Sequence, residues 1–123
     1  MSLGLKNFSD LVYNKLLELD DEVILINPTT ASNFPCREMG TPIKSVSKTY
    51  PVDTFQISIK HWNSKLNEAM EMSDKTDEKL LEYNFVRINT NTYIYDETLK
   101  EYAILSIYEV KYNALTNAFQ VIK

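Results

Sequence analysis

Residues 55–67, FQISIKHWNSKLN, contain a change of period that fixes the order of the elements around it. Phe55, Ile57 and Ile59 fall on one side of an extended strand, and Gln56, Ser58 and Lys60 fall on the other. The alternation stops at Asn63-Ser64, a pair suited to capping a helix. A strand over 52–62 is therefore expected to present Ile57 and Ile59 to a core and Lys60 outward, and to lead into a helix over about 64–83. Trp62 falls on the strand's polar face, as a lid on the following helix or an interface anchor.

The rest of the chain extends this order. Leu5, Phe8, Val12, Leu16 and Leu19 recur at spacings of three and four, which predicts an amphipathic helix over about 3–19. The run 23–26, VILI, reads as a buried strand. In the second helix Leu66, Ala69, Met70, Leu80 and Leu81 supply an apolar side. Its middle, Ser73-Asp74-Lys75-Thr76-Asp77, is polar all round, which predicts a kink or a half-exposed helix. Extended segments follow at 84–88 and 92–95, a turn at 96–98, and then a long strand at 102–112. That strand is apolar on both faces as far as Tyr108, as a central strand would be. The tail 114–123 is weakly patterned, with an end expected to fray.

All four prolines (Pro28, Pro35, Pro42 and Pro51) fall between positions 28 and 51. Each removes a backbone donor and restricts its neighbour, so no helix fits there. The segment is expected to be an extended arm, or an open hairpin with an irregular tip around 31–40. Within it 43–50 can form one strand, where Lys44 and Lys48 suit an edge.

With 123 residues the chain is expected to form one α+β domain spanning 1–123. Its sheet is expected to be mixed or antiparallel, of about four to five strands, with both helices packed on one face. No apolar run is long enough to span a membrane, and no signal peptide opens the chain. A single cysteine, Cys36, rules out an internal disulfide and suits an intracellular life. The net charge of −4 and scattered lysines argue against a nucleic-acid partner. With only Gly4 and Gly40 available, no glycine-rich phosphate loop or dinucleotide fingerprint can be written.

Candidate chemistry is sparse. Cys36 and His61 are the only nucleophile–base combination, with nothing in their spacing to bring them together, and they are too few for a structural zinc site. Glu71, Asp74 and Glu78 stack along the second helix without the glycine of a calcium loop, and read as a solvated face. Six of the eight tyrosines (Tyr83, Tyr93, Tyr95, Tyr102, Tyr108 and Tyr112) fall in the last 41 residues. They suit cross-strand packing, the wall of a ligand pocket or a protein interface. No catalytic residue, metal ligand or cofactor site is expected.

The order of elements resembles that of the tail-completion or tail-terminator proteins of long-tailed bacteriophages and prophages. The resemblance is carried by Phe34-Pro35 opening the arm and by residues 55–62 running into the Asn63-Ser64 helix start. Asn84-Phe85 at that helix's end and the closing strand 102–112 complete it. It covers most of the chain as a pattern of elements, without a diagnostic short motif. It implies a virion structural protein with no catalytic site, forming a hexameric ring on the tail tube. Self, tail-tube and head–tail connector proteins are the implied partners, and the virion tail or the host cytoplasm during assembly the implied location. The interface residues expected on this reading are Phe34, Arg37, Met39, Ile43, Lys44 and Lys48 of the arm, together with Trp62. Arg37, Lys44 and Lys48 are expected to meet the acidic second helix of a neighbour. The alternative is a small-molecule or peptide-binding α+β module using the tyrosine-rich sheet.

Overall fold

Two long strands organise the molecule. In the computed structural model, which describes residues 3–19, 22–24, 34–47, 49–90 and 92–120, β4 (Val52–Asn63) and β7 (Glu101–Asn113) pair antiparallel. The register runs from Val52 opposite Asn113 to Asn63 opposite Tyr102. Because facing residues share a side of the sheet, Phe55, Ile57, Ile59 and His61 lie with Ile104, Ser106, Tyr108 and Val110. Nearly all of these are fully buried, as the alternation in 55–61 predicts.

That buried side is covered by α1 (Leu5–Leu16) and α2 (Leu66–Leu81). Phe8, Val12 and Leu16 of α1 join Phe55, Ile57, Ile59, Leu80, Phe85, Tyr108 and Val110 in the main core. The Phe8 ring stacks on Phe55 at 4.4 Å and on Phe85 at 5.6 Å between centroids. An exposed ion-pair network ties α1 to the end of α2, with Lys15 at 2.7 Å from Glu82 and Lys79 at 3.3 Å from Glu18.

Short strands line both long ones. Along the free edge of β4 lie β2 (Cys36–Met39) and β3 (Ile43–Val46), both antiparallel to it, and β1 (Glu22–Ile24) runs parallel to β2. Along the other edge of β7 lie β5 (Val86–Arg87), β6 (Thr92–Asp96) and β8 (Ala118–Gln120). The fold is α+β with a mixed eight-stranded sheet, larger than the four to five strands expected.

The extra strands come from two segments that the pattern left unassigned. The stretch expected to be the irregular tip of an arm holds β2, an internal strand between β1 and β4. The weakly patterned tail holds β8. Between β2 and β3 the register slips by one residue, from Met39 opposite Ile59 to Ile43 opposite Gln56. Gly40 sits at the slip, its N–H donating to Ser58 O at 2.8 Å, and a Cβ there would lie 2.2 Å from Ser58 Oγ. The two strands are one strand broken by a bulge at which any side chain on residue 40 would require Ser58 Oγ to move.

The polar middle of α2 is half exposed, as expected: Asp74 and Lys75 face solvent, while Ser73 and Thr76 face the sheet and are fully buried. Met70 and Leu81, expected on the apolar side, are exposed. The helix closes on Asn84, whose φ is 67°. Phe85 N–H donates to Leu80 O and Asn84 N–H to Leu81 O, the paired bonds of a left-handed C-terminal cap.

Candidate functional site

Beneath α2 lies a buried polar seam. Arg37 on β2 and His61 on β4 are cross-strand partners, and both side chains reach Thr76. Arg37 Nε donates to Thr76 Oγ1 at 2.8 Å, and its Nη2 donates to Met72 O at 3.0 Å. His61 Nδ1 lies 3.0 Å from Ile104 O, and its Nε2 lies 2.8 Å from Thr76 Oγ1. A carbonyl only accepts, so Nδ1 carries the ring proton and Nε2 accepts from the Thr76 hydroxyl. Thr76 Oγ1 is also 3.0 Å from Met72 O, but that carbonyl is served by Arg37 and the hydroxyl has one proton.

Burial, with the Arg37 charge beside it, lowers the His61 pKa to about 3, so the ring is neutral at physiological pH. Ser73 and Ser106 hydroxyls meet at 2.9 Å, and the Tyr108 hydroxyl donates to Asp77 at 2.5 Å. Burial and the Asp77 carboxylate push the Tyr108 pKa up, which keeps the phenol protonated. Within this seam every buried side-chain polar atom has a partner. The seam specifies how α2 docks on the sheet, and a depression of about 250 Å³ lined by Asp77, Leu81, Phe85, Val86, Arg87 and Tyr108 lies at its end.

Cys36 belongs to the other side of the sheet. It sits opposite Trp62 and packs with Trp62 and Ala103, whereas His61 faces α2. The two residues point to opposite faces, so they form no nucleophile–base pair.

The residues expected on an interface separate in the same way. Arg37 and Met39 are buried inside the chain, Arg37 against its own α2 and Met39 in the main core, so the contact surface expected of them is corrected. Their strand is internal, and its inward face is the helix face. Lys44 donates to Leu3 O at 2.9 Å and lies 3.6 Å from Asp53, which holds it within the chain. Trp62 is largely buried, with Phe34 packed on it at 5.7 Å and its Nε1 donating to Glu38 at 3.0 Å. Ile43 is exposed, and Lys48 lies outside the described residues, as does the whole of the segment 25–33.

Exposed apolar side chains lie on β3 and just after it, where Ile43, Val46 and Tyr50 are 59%, 67% and 69% exposed, and also on β6. Tyr93, Ile94 and Tyr95 are 60%, 59% and 45% exposed. Among the described residues β6 pairs only with β7, so its outer edge is open. The run Thr92-Tyr93-Ile94-Tyr95 has none of the charged residues, prolines or bulges that usually block edge pairing. Tyr93 and Tyr95 flank Tyr102 at centroid distances of 6.0 and 4.8 Å. The other tyrosines of the late cluster lie elsewhere: Tyr108 under α2, and Tyr83 and Tyr112 around Phe119. The sheet therefore has no single tyrosine wall.

On the face away from the helices, Gln56, Ser58, Lys60, Leu105 and Ile107 are only partly covered. A depression of about 380 Å³ lies there beside Thr41 and Ile43. Sequence reasoning did not single out β6 as an open edge, because aromatic alternation in a strand reads equally as cross-strand packing. Its position at an edge is a property of the whole sheet. No helix among the described residues is long and apolar enough to cross a membrane. No protein-family model matches the chain, and no curated protein matches it.

Proposed function

We propose that this chain is a structural protein of long-tailed phages or prophages, of the tail-completion type, that self-associates into a ring on the tail tube. The observation that supports the reading most is the open, apolar edge of β6 (Thr92–Asp96). A closed ring needs a heterologous interface, in which one patch meets a different patch on the neighbour. Here β6 lies on one side of the sheet and β1 on the other, so edge-to-edge pairing propagates in one direction. The order of elements, with two helices on one face of a sheet, agrees with the resemblance stated above.

The reading is tested by mixing purified chain with assembled tail tubes of its own phage or prophage and imaging the tube ends. Rings at one end are the expected result, with Ile94→Lys abolishing them while leaving the circular dichroism spectrum unchanged. Tubes left bare by the wild-type chain would remove the assignment. A second reading, a peptide- or small-molecule-binding module, is favoured by the depression between Ile43 and Ile107. Under it Ile43→Asp, and not Ile94→Lys, is the damaging substitution.

A further inference from the structure

Glu101 opens β7 on the sheet face away from the helices and is only 8% exposed. Among the described residues no donor or cation reaches its carboxylate. Lys100, beside Glu101 in sequence, and Lys65, beside the cavity residue Ser64, are exposed and make no ion pair with it among the described residues. Asp96, opposite Glu101 across the hairpin, accepts from Leu99 N–H, and Glu38 accepts from Trp62. Burial raises the Glu101 pKa, the response of a carboxyl group that lacks compensation.

The carboxyl group opens into a cavity of about 250 Å³ lined by Phe34, Pro35, Asn63, Ser64, Leu99 and Glu101. Most of this lining is apolar or already bonded. Asn63 Oδ1 accepts from Lys65 N–H, and its Nδ2 contacts Met72 Sδ. Phe34 is held by Trp62. The cavity offers one carboxylate, the Ser64 hydroxyl and an Asn63 oxygen that is already engaged, beside Phe34, Pro35 and Leu99. It is a poor site for a hard metal ion, which needs several free oxygens. It suits a cation with an apolar stem, which the carboxylate neutralises while the aromatic wall packs the stem and attracts the charge.

We infer that the Glu101 cavity is a recognition pocket for an organic ammonium group carried on an apolar stem. The inference rests on this cavity alone and stands apart from the ring reading. The same chemistry is offered by a lysine side chain of a second copy of the chain and by a free polyamine.

The test follows the Glu101 side-chain carboxyl signal by carbon NMR through a pH titration of the wild-type chain, with and without n-butylammonium. Added butylammonium should lower the Glu101 pKa and shift the Phe34 ring signals. Exposed Glu71 should not respond, and Glu101→Gln should abolish the Phe34 shift. A Glu101 titration unmoved by butylammonium, an equal response at Glu71, or a response to magnesium instead would overturn the inference. The wild-type titration needs no variant, so it decides even if Glu101→Gln fails to fold.

Sedimentation separates the two sources. If a lysine of a second copy is the occupant, Glu101→Gln weakens self-association by about tenfold or more and butylammonium competes with it. If the occupant is a free polyamine, self-association is unchanged and spermidine binds more tightly than butylammonium.

Discussion

At the scale of single residues, Thr76 is the hub of the buried seam, and its hydroxyl joins a guanidinium to a neutral imidazole. Thr76→Val keeps the shape but leaves Arg37 Nε–H and His61 Nε2 without that partner, and should destabilise by about 1–3 kcal/mol in denaturant melts. The same chain of bonds predicts a pH response. The folded pKa of His61 lies below the unfolded value, about 3 against 6.5. The unfolded chain therefore binds the extra proton first on acidification. This contribution to stability is fully present above pH 6.5 and is lost as pH falls toward 3, at about 1.4 kcal/mol per pH unit. Melts from pH 7 to 4 should show this slope, and His61→Gln should flatten it. Glu101 has the opposite sign: its raised pKa makes ionisation cost stability as pH rises, and Glu101→Gln should remove that loss.

Elements show where legibility ended. The register of β4 was readable, because Ile57 and Ile59 alternate with polar residues over a strand buried on one face only. Ile59 is fully buried and Lys60 only partly so. Ile59→Asp should therefore unfold a marginal domain, while Lys60→Asp costs little in thermal melts. The inner face of α2 was readable only in part: Ala69 and Leu80 are buried as expected, but Ser73 and Thr76 are buried only through partners on β2, β4 and β7 that no local window contains. Strand β2 was hidden for the same reason. Its buried Arg37 looks like surface until Thr76 and Met72 O are brought to it.

Between β5 and β6, the Asn89 amide accepts from Ile107 N–H at 2.8 Å and donates to Leu105 O at 2.9 Å. It stands in for a peptide unit where the ladder is broken. Asn89→Ala should cost about 1–3 kcal/mol and speed amide exchange at Ile107. At Asn84, replacement by glycine should be neutral or stabilising, and by valine destabilising by about 1 kcal/mol or more, as judged by thermal melts.

At the scale of the whole molecule, the proline-bearing segment contributes two strands to the sheet. Arg37 and Met39 of that segment are buried within the chain, so the proposed interface rests on the opposite edge. Which edge lies open depends on the order of eight strands, and that order is settled by pairings between residues far apart in sequence. The charge balance and the β4 pattern could not disclose it. The most direct test is amide hydrogen exchange of the chain alone and bound to tail tubes. Edge pairing predicts that the amides of Thr92–Asp96 pointing away from β7 slow by roughly tenfold or more on assembly, with α2 unchanged. Assembled rings in which those amides exchange as fast as in the isolated chain would contradict it.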